Sequence, residues 1–106
     1  MFVRIVRLNL KSGSRAGYTR AIDDEIFPKM KKFAGFAGQI SMVSSDGKEG
    51  IGISLWERRE DSEAYHRKGY ADVMKALEKF TEGKPELQTY ELTNSTFEVL
   101  PVRKAA

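Results

Sequence analysis

The first run of apolar residues along the chain has the two-residue period of a β-strand. The stretch Phe2–Leu10 is also rich in β-branched and large apolar residues, which favours the same structure. Its apolar residues of one parity are Phe2, Val6, Leu8 and Leu10, and those of the other are Val3 and Ile5. Because both faces of this strand are apolar, we expect the sheet to be covered on both sides.

The next segment changes to the helical period. Ser14 ends a Lys11–Ser14 turn and is suited to cap a helix. From there one apolar stripe recurs at spacings of four, four and seven: Tyr18, Ile22, Ile26 and Phe33. Pro28 interrupts the stripe, so the sequence predicts either a kink or a new short helix with Pro28 in its first turn.

Two strands joined by a hairpin follow this helix. The pattern predicts them at Gln39–Val43 and Ile51–Trp56, with an Asp46-Gly47 turn between them. The second of these strands alternates strictly, with Ile51, Ile53 and Leu55 on one face and Gly52, Ser54 and Trp56 on the other. Trp56 therefore has only small neighbours on its own face.

The remaining elements are a helix and a strand. The acidic start at Glu60 suits a helix N-terminus, and the apolar positions continue to about Phe80, with the helix either continuous or broken at Gly69. We expect a loop over residues 81–85 and a fourth strand over Leu87–Leu92.

The order β-α-β-β-α-β predicts a ferredoxin-like α+β fold with one antiparallel sheet. The apolar parity shifts after Asn94 to Phe97 and Val99, which predicts a bulge or corner and a short terminal strand. We expect one domain over residues 1–100 and a tail over 101–106. Two helices cover one face of such a sheet, so we expect the other face to pack against a second copy in a homodimer.

The amino-acid composition excludes several kinds of functional site. The chain has 106 residues, no cysteine and one histidine, which excludes disulfide scaffolds, thiol nucleophiles and a multi-histidine metal centre within one chain. No apolar run approaches the roughly 20 residues of a membrane span, and the first residues lack a signal-peptide pattern. We expect a cytoplasmic protein without a metal and without membrane contact.

The charge balance argues against a nucleic-acid partner. The chain carries 18 basic and 15 acidic residues, a net charge of +3. Apart from a cluster at Lys29, Lys31 and Lys32, the basic residues alternate with acids along the predicted helices. A nucleic-acid-binding face would gather them on one side, so we read these charges as solvated helix faces.

Two segments resemble the antibiotic biosynthesis monooxygenase family. Residues 33–38, Phe-Ala-Gly-Phe-Ala-Gly, are similar to the Gly-Phe-x-Gly that leads into that family's second strand. Leu55-Trp56 followed by Glu60–Tyr65 resembles its strand-end tryptophan and acidic helix start. The resemblance implies a dimeric α/β barrel with a small, mostly apolar pocket in each protomer.

The resemblance also implies a range of functions. Relatives include enzymes that oxidise phenolic polyketides with dioxygen and without metal or flavin, enzymes that degrade haem, and binding or regulatory proteins. The haem-degrading relatives use a histidine in the second helix at a place where this chain has Val73–Glu78, with no histidine. We therefore expect neither haem nor another cofactor.

The aromatic residues around the second helix are the first site candidates. The space beside Trp56 suits a planar ligand, although the ring could fill that space itself as core. His66 is the only imidazole and could act as acid or base, or it is a core or interface histidine. Tyr65 and Tyr70 could orient a phenol by hydrogen bonding, or simply pack.

The other candidates lie on the first strand and in the predicted core. Arg7 could neutralise a phenolate or pair with a helix acid, and Asn9 either lines a cavity or marks the strand end. Phe33 and Met74 are core residues that could also line the pocket. We assign catalysis to His66, Tyr65 and Arg7, and substrate binding to Trp56, Phe33, Tyr70, Asn9 and Met74.

These residues and the resemblance predict a monooxygenase-like protein that acts on a small phenolic compound without a cofactor. One alternative is a non-catalytic dimer that binds a small apolar ligand or serves as a stress-related accessory protein. Another is an isomerase or cyclase that uses His66 as a proton shuttle. The fold alone does not choose among these.

Overall fold

The sheet has four antiparallel strands in the order β2-β3-β1-β4 in the computed structural model, which describes residues 1–97. The strands are β1 (Phe2–Leu10), β2 (Phe36–Val43), β3 (Glu49–Trp56) and β4 (Thr81–Glu91). The ferredoxin-like α+β arrangement predicted from the sequence is confirmed. The dimeric barrel stays a prediction.

Two broken helical segments connect these strands. The first consists of α1 (Arg15–Ala21), a π-helical stretch (Ile22–Ile26) and α2 (Phe27–Met30); the second consists of α3 (Arg59–Lys68), α4 (Tyr70–Leu77) and a 3-10 turn (Glu78–Phe80). Pro28 lies in the first turn of α2, where its missing N–H is harmless. Gly69 separates α3 from α4, so the restart and the break are both confirmed.

The strand boundaries correct two expectations. Strand β2 begins at Phe36 rather than Gln39, and β4 begins at Thr81, so the loop expected over residues 81–85 is wrong. The sequence of this segment is polar and gave no sign of a strand. The strand forms because β1 offers backbone partners: Leu10 lies opposite Thr81, after a register shift between Arg7 and Asn9.

The short terminal strand expected near the end of the chain is not present in its described part. The chain leaves β4 after Glu91, and residues 92–97 form no strand. Val99 and the predicted tail over 101–106 lie outside the described residues.

The two faces of the sheet have different surroundings. Even-numbered residues of β1 face the helices, where they meet a buried core that includes Tyr18, Ile22, Ile26, Met30, Val73 and Leu77. The opposite face is apolar but uncovered in the single chain, and its aliphatic and aromatic residues are Val3, Ile5, Ile40, Met42, Ile51, Ile53, Leu55 and Tyr90. Ile40, Met42 and Tyr90 are 44–48% exposed there, so this face agrees with the expectation that both sides need cover.

Candidate functional site

A small cavity of about 40 Å³ lies between the helices and the sheet. The aliphatic part of its wall comes from both layers: Val6, Leu8, Ile22, Ile26, Met30, Val73, Met74 and Leu77. The polar part consists of Arg4, Tyr18, Gln39, Ser54, Tyr65 and Tyr70. An apolar cavity with a few polar groups directed into it is the usual composition of a small-molecule site.

Arg4 brings a positive charge into this cavity. It lies on the helix-facing side of β1, and only 3% of the residue is exposed. Within residues 1–97, no carboxylate oxygen comes within 4.0 Å of its guanidinium. Burial lowers the pKa of Arg4, and the neighbouring Tyr65 and Tyr70 oppose that effect. Because a guanidinium stays protonated at neutral pH, the site holds a buried cation without an acidic partner in the described chain.

Tyr65 and Tyr70 enclose this cation. The central carbon of the Arg4 guanidinium lies 5.1 Å from each ring centroid, within cation–π range. The two rings meet edge to face at 6.4 Å. Burial raises the pKa of Tyr65 to about 12 and also raises the pKa of Tyr70. Both phenols are therefore neutral near pH 7 and can donate a hydrogen bond to a ligand oxygen.

His66 lies on the outer side of Arg4 and does not line the cavity. A terminal Arg4 nitrogen, Nη2, donates to its Nδ1 at 3.2 Å, and its ring stacks on Tyr70 at 4.9 Å. A nitrogen that accepts from a guanidinium carries no proton, so this hydrogen bond assigns the proton of the neutral ring to Nε2. The position of His66 orients Arg4 and Tyr70, and does not bring the imidazole to a ligand in the cavity.

Trp56 and Phe33 support Tyr65 from behind and do not line the cavity. The indole is fully buried, stacks on Tyr65 with centroids 5.1 Å apart, and donates from Nε1 to the hydroxyl oxygen of Ser54 at 3.0 Å. Phe33 contacts the same tyrosine edge to face at 5.1 Å. Gly69 makes this packing possible, because a Cβ there would collide with the Phe33 ring.

Arg7 and Asn9 lie on the opposite face of the sheet from the cavity. Arg7 is part of an ion pair with Glu49, at 4.0 Å, and both side chains are 42% exposed. Asn9 is exposed and paired with Glu49 and Glu82 in the strand register. Odd and even residues of a strand point to opposite sides, so the geometry brings neither residue to the cavity.

Sequence reasoning missed the polar residues that do reach the cavity. Arg4 lies on the same face of the first strand as Phe2, Val6 and Leu8. A charged residue on the more apolar face of the strand was the signal that could have identified it. Gln39 was assigned only to the start of a strand. Its side-chain oxygen Oε1 is buried and has no hydrogen-bond partner among the described residues.

The cavity shares part of its wall with a larger open groove. Tyr70 and Met74 line both spaces, together with Leu8, and the groove has a volume of about 520 Å³. An engineered cavity that binds benzene has a volume of about 150 Å³, so the 40 Å³ cavity is too small for an aromatic ring without side-chain movement. Displacement of the Tyr70 and Met74 side chains would join the two spaces.

Two negative findings apply to residues 1–97. No group of three or more histidine, cysteine, aspartate or glutamate side chains is placed to hold a metal ion. No helix is long and apolar enough to span a membrane.

Comparisons with known proteins identify the fold through structure alone. No family model and no curated protein sequence match the chain. Among solved structures, the chain is similar to the ActVA-Orf6 monooxygenase of Streptomyces coelicolor, in complex with nanaomycin D, with 15% identity, a TM-score of 0.76, and coverage of 91% of this chain and 90% of that chain. SnoaB, a cofactor-independent oxygenase of Streptomyces nogalater, matches with 12% identity, a TM-score of 0.71, and coverage of 90% and 95%.

A third similar structure belongs to a protein of unknown function. NE2512 from Nitrosomonas europaea has 14% identity and a TM-score of 0.74, with 91% of this chain and 92% of that chain covered. The structure is also similar to those of chains named antibiotic biosynthesis monooxygenases from Nitrosomonas europaea, Bordetella bronchiseptica and Deinococcus radiodurans. The chain therefore has the fold of the antibiotic biosynthesis monooxygenases, the family that its sequence resembles.

Proposed function

We propose that this protein is a homodimeric, monooxygenase-like oxidoreductase that oxidises a small phenolic compound with dioxygen and without a cofactor. The observation that carries the proposal is the buried Arg4 guanidinium in the wall of a mostly apolar cavity, flanked by the rings of Tyr65 and Tyr70. The fold shared with monooxygenases supports the reaction class.

The cavity can favour the ionised form of a phenol. A cation next to a phenol stabilises the phenolate, and a low-polarity environment strengthens that attraction. Arg4 takes the role that the sequence assigned to Arg7 and His66, and the hydroxyls of Tyr65 and Tyr70 orient the ligand oxygen. The phenolate is the form from which an electron is most easily removed.

Oxidation then needs only the substrate and dioxygen. The phenolate transfers one electron to dioxygen, and the resulting phenoxyl radical and superoxide combine through a new carbon–oxygen bond at the position para to the phenol oxygen. Cleavage of the O–O bond, with loss of the hydrogen on that carbon, leaves a quinone. One oxygen atom stays in the quinone, and the other leaves as water with the two hydrogens removed from the phenol.

The size of the cavity favours one alternative function. The 40 Å³ cavity is too small for a ring until side chains such as Tyr70 and Met74 move, which also fits a non-catalytic dimer whose cavity is packing space. The isomerase or cyclase alternative has no such support, because it needs His66 at the ligand.

Oxygen consumption distinguishes these functions. 1-Naphthol and other phenols with a hydrogen on the carbon para to the hydroxyl would be titrated against Trp56 fluorescence, and any compound that binds would be tested in an oxygen electrode. We expect saturable oxygen uptake with water and quinone as products. Arg4→Leu should lower kcat/KM by about 100-fold, the usual loss for one charge-stabilising donor. The exposed Arg20 on α1 provides the matched control, Arg20→Leu, which should retain the activity.

Two results would contradict the proposal. Saturable binding without oxygen uptake would identify a binding or accessory protein. Uptake that is unchanged in Arg4→Leu would show that the reaction occurs away from this cavity.

A further inference from the structure

A second open space, distinct from the groove beside Met74, adjoins the cavity on the side of α3. This space, the α3 groove, has a volume of about 470 Å³. Its charged and titratable wall residues are Arg4, Arg59, Glu63, His66 and Arg67, and Phe2 and Leu87 supply apolar wall. Arg4 borders both the cavity and this groove, so the two spaces share one guanidinium.

The α3 groove has an excess of positive charge. Three guanidinium groups face a single carboxylate, that of Glu63. Within the described part of the chain, Arg4, Arg59 and Arg67 make no ion pair. Arginines without acidic partners on one concave surface favour an anionic ligand.

Two of these guanidinium groups are held in place by aromatic rings. Arg59 lies over Phe2, with its central carbon 5.1 Å from the ring centroid. Arg4 is held by Tyr65, Tyr70 and the 3.2 Å hydrogen bond to His66. Side chains that are already ordered lose less conformational entropy when a ligand binds, which makes this pair suited to recognition.

We propose that the α3 groove binds the carboxylate of the substrate, so that the substrate is an aromatic acid. This inference rests on the proposed function: the phenolic ring enters the cavity, and the carboxylate pairs with Arg59 and Arg67 on the other side of Arg4. The apolar contribution of Phe2 and Leu87 suits a hydrocarbon arm next to the charge and distinguishes this ligand from a bare inorganic anion.

A matched pair of ligands tests the inference. 6-Hydroxy-2-naphthoate and 2-naphthol share the same fused phenolic ring system and differ in the carboxylate, and both would be titrated by calorimetry against the purified dimer. We expect the acid to bind at least about tenfold more tightly, the size of one charge-assisted hydrogen bond. Salt should weaken its binding and leave 2-naphthol binding nearly unchanged.

Variants locate the effect in the groove. Arg59→Gln and Arg67→Gln should each weaken binding of the acid and leave that of 2-naphthol unchanged, and Arg59→Lys should recover part of the loss. Arg20→Gln, on a distant exposed arginine, is the control and should change neither. Circular dichroism would verify that each variant is folded.

The outcomes separate this inference from the proposed function. Preference for the acid that depends on Arg59 and Arg67 supports the groove whether or not the proposed function holds. Oxygen uptake tests that function separately, with 1-naphthol, whose carbon para to the hydroxyl carries the hydrogen that the reaction removes. Equal affinity for both ligands, or no saturable binding of the acid, overturns the groove. Inorganic phosphate that competes as strongly as the acid also overturns it, since the groove would then be a general anion site.

Discussion

The two faces of the sheet reverse the usual arrangement of a monomeric protein. Polar side chains are buried on the face that the helices cover, and apolar side chains are exposed on the other face. The face covered by helices carries a buried arginine and a glutamine with an unpartnered oxygen, and the helices above it contribute two buried tyrosines. The uncovered face carries a nearly continuous aliphatic surface, with Ile40 47% and Met42 44% exposed. Polar groups inside cost stability, and apolar groups outside do not contribute to it in a single chain.

This contrast teaches that neither face is optimised for the stability of one chain. The buried polar groups are consistent with the proposed ligand site, because a buried cation without an acidic partner in the described chain can pair with a bound anion. The exposed aliphatic surface indicates a partner, because contiguous apolar patches of this kind mark interfaces. The following four predictions test the two assignments, beginning with the largest expected effect.

Introducing a charge at the centre of the uncovered face should break the proposed dimer. Ile53 lies between Ile5 and Ile40 in the sheet register, so Ile53→Glu would bury an unpaired carboxylate in a sheet-to-sheet interface. We expect a cost of about 3–5 kcal/mol, which weakens dimerisation by about 150- to 5,000-fold. Light scattering after size exclusion should give the 12.0 kDa of one chain for the variant and twice that mass for the wild type.

The control for this experiment is Ser45→Glu, which places the same charge in the exposed hairpin turn and should leave the dimer intact. A wild-type protein that elutes as a monomer at micromolar concentration would contradict the assignment of the uncovered face.

The phenol of Tyr65 should make the covered face sensitive to high pH. Its pKa is raised to about 12 by burial, so below pH 10 the residue is neutral in both the folded and the unfolded chain. Between pH 10 and 12 the unfolded chain ionises first, and the free energy of unfolding therefore falls as the pH rises. The full effect is about 2–3 kcal/mol, with about 1.4 kcal/mol lost by pH 11.

Urea unfolding of the wild type and Tyr65→Phe at pH 8 and pH 11 measures this contribution. The difference between the two proteins at pH 8 gives the packing effect of the substitution alone, and subtracting it isolates the ionisation. If the wild type and the variant lose the same free energy between these two pH values, Tyr65 is not buried in the way the structure shows.

Removing the buried cation should stabilise the protein while it removes the site. Replacement of buried ionic groups by apolar side chains is often neutral or favourable, so we expect Arg4→Leu to raise the free energy of unfolding by about 1–2 kcal/mol. Thermal unfolding monitored by circular dichroism is the measurement. A loss of stability instead would mean that the contacts of Arg4 with Tyr65, Tyr70 and His66 hold the fold together.

The smallest expected effect concerns Gln39. Its buried Oε1 lacks a hydrogen-bond partner among the described residues, which carries a desolvation cost. Gln39→Met keeps the length of the side chain and removes the polar atoms, so it should raise the free energy of unfolding by about 0.5–1 kcal/mol. Ligand titration in the same variant would show whether Gln39 also contacts the phenol, because affinity would then fall as stability rises.

The sequence alone determined the order of elements and most of their positions. The helical stripe, Pro28 at a restart, the break at Gly69 and the Asp-Gly hairpin all follow from local backbone chemistry, which needs no knowledge of distant contacts. The limits of β4 were missed for the same reason. Its polar residues form a strand only because β1 offers them backbone partners.

Only the tertiary structure decided which residues form the site. Strand parity shows that Arg4 and Arg7 point to opposite sides, but it does not show which side the helices cover. The sequence assigned Arg7 to a catalytic role, and the structure shows that Arg4, not Arg7, lines the cavity. Trp56 and His66 likewise do not line the cavity: Trp56 stacks on Tyr65 and His66 accepts a hydrogen bond from Arg4. Periodicity depends on neighbours along the chain, whereas a cavity depends on how whole layers pack, and only packing in three dimensions fixes that.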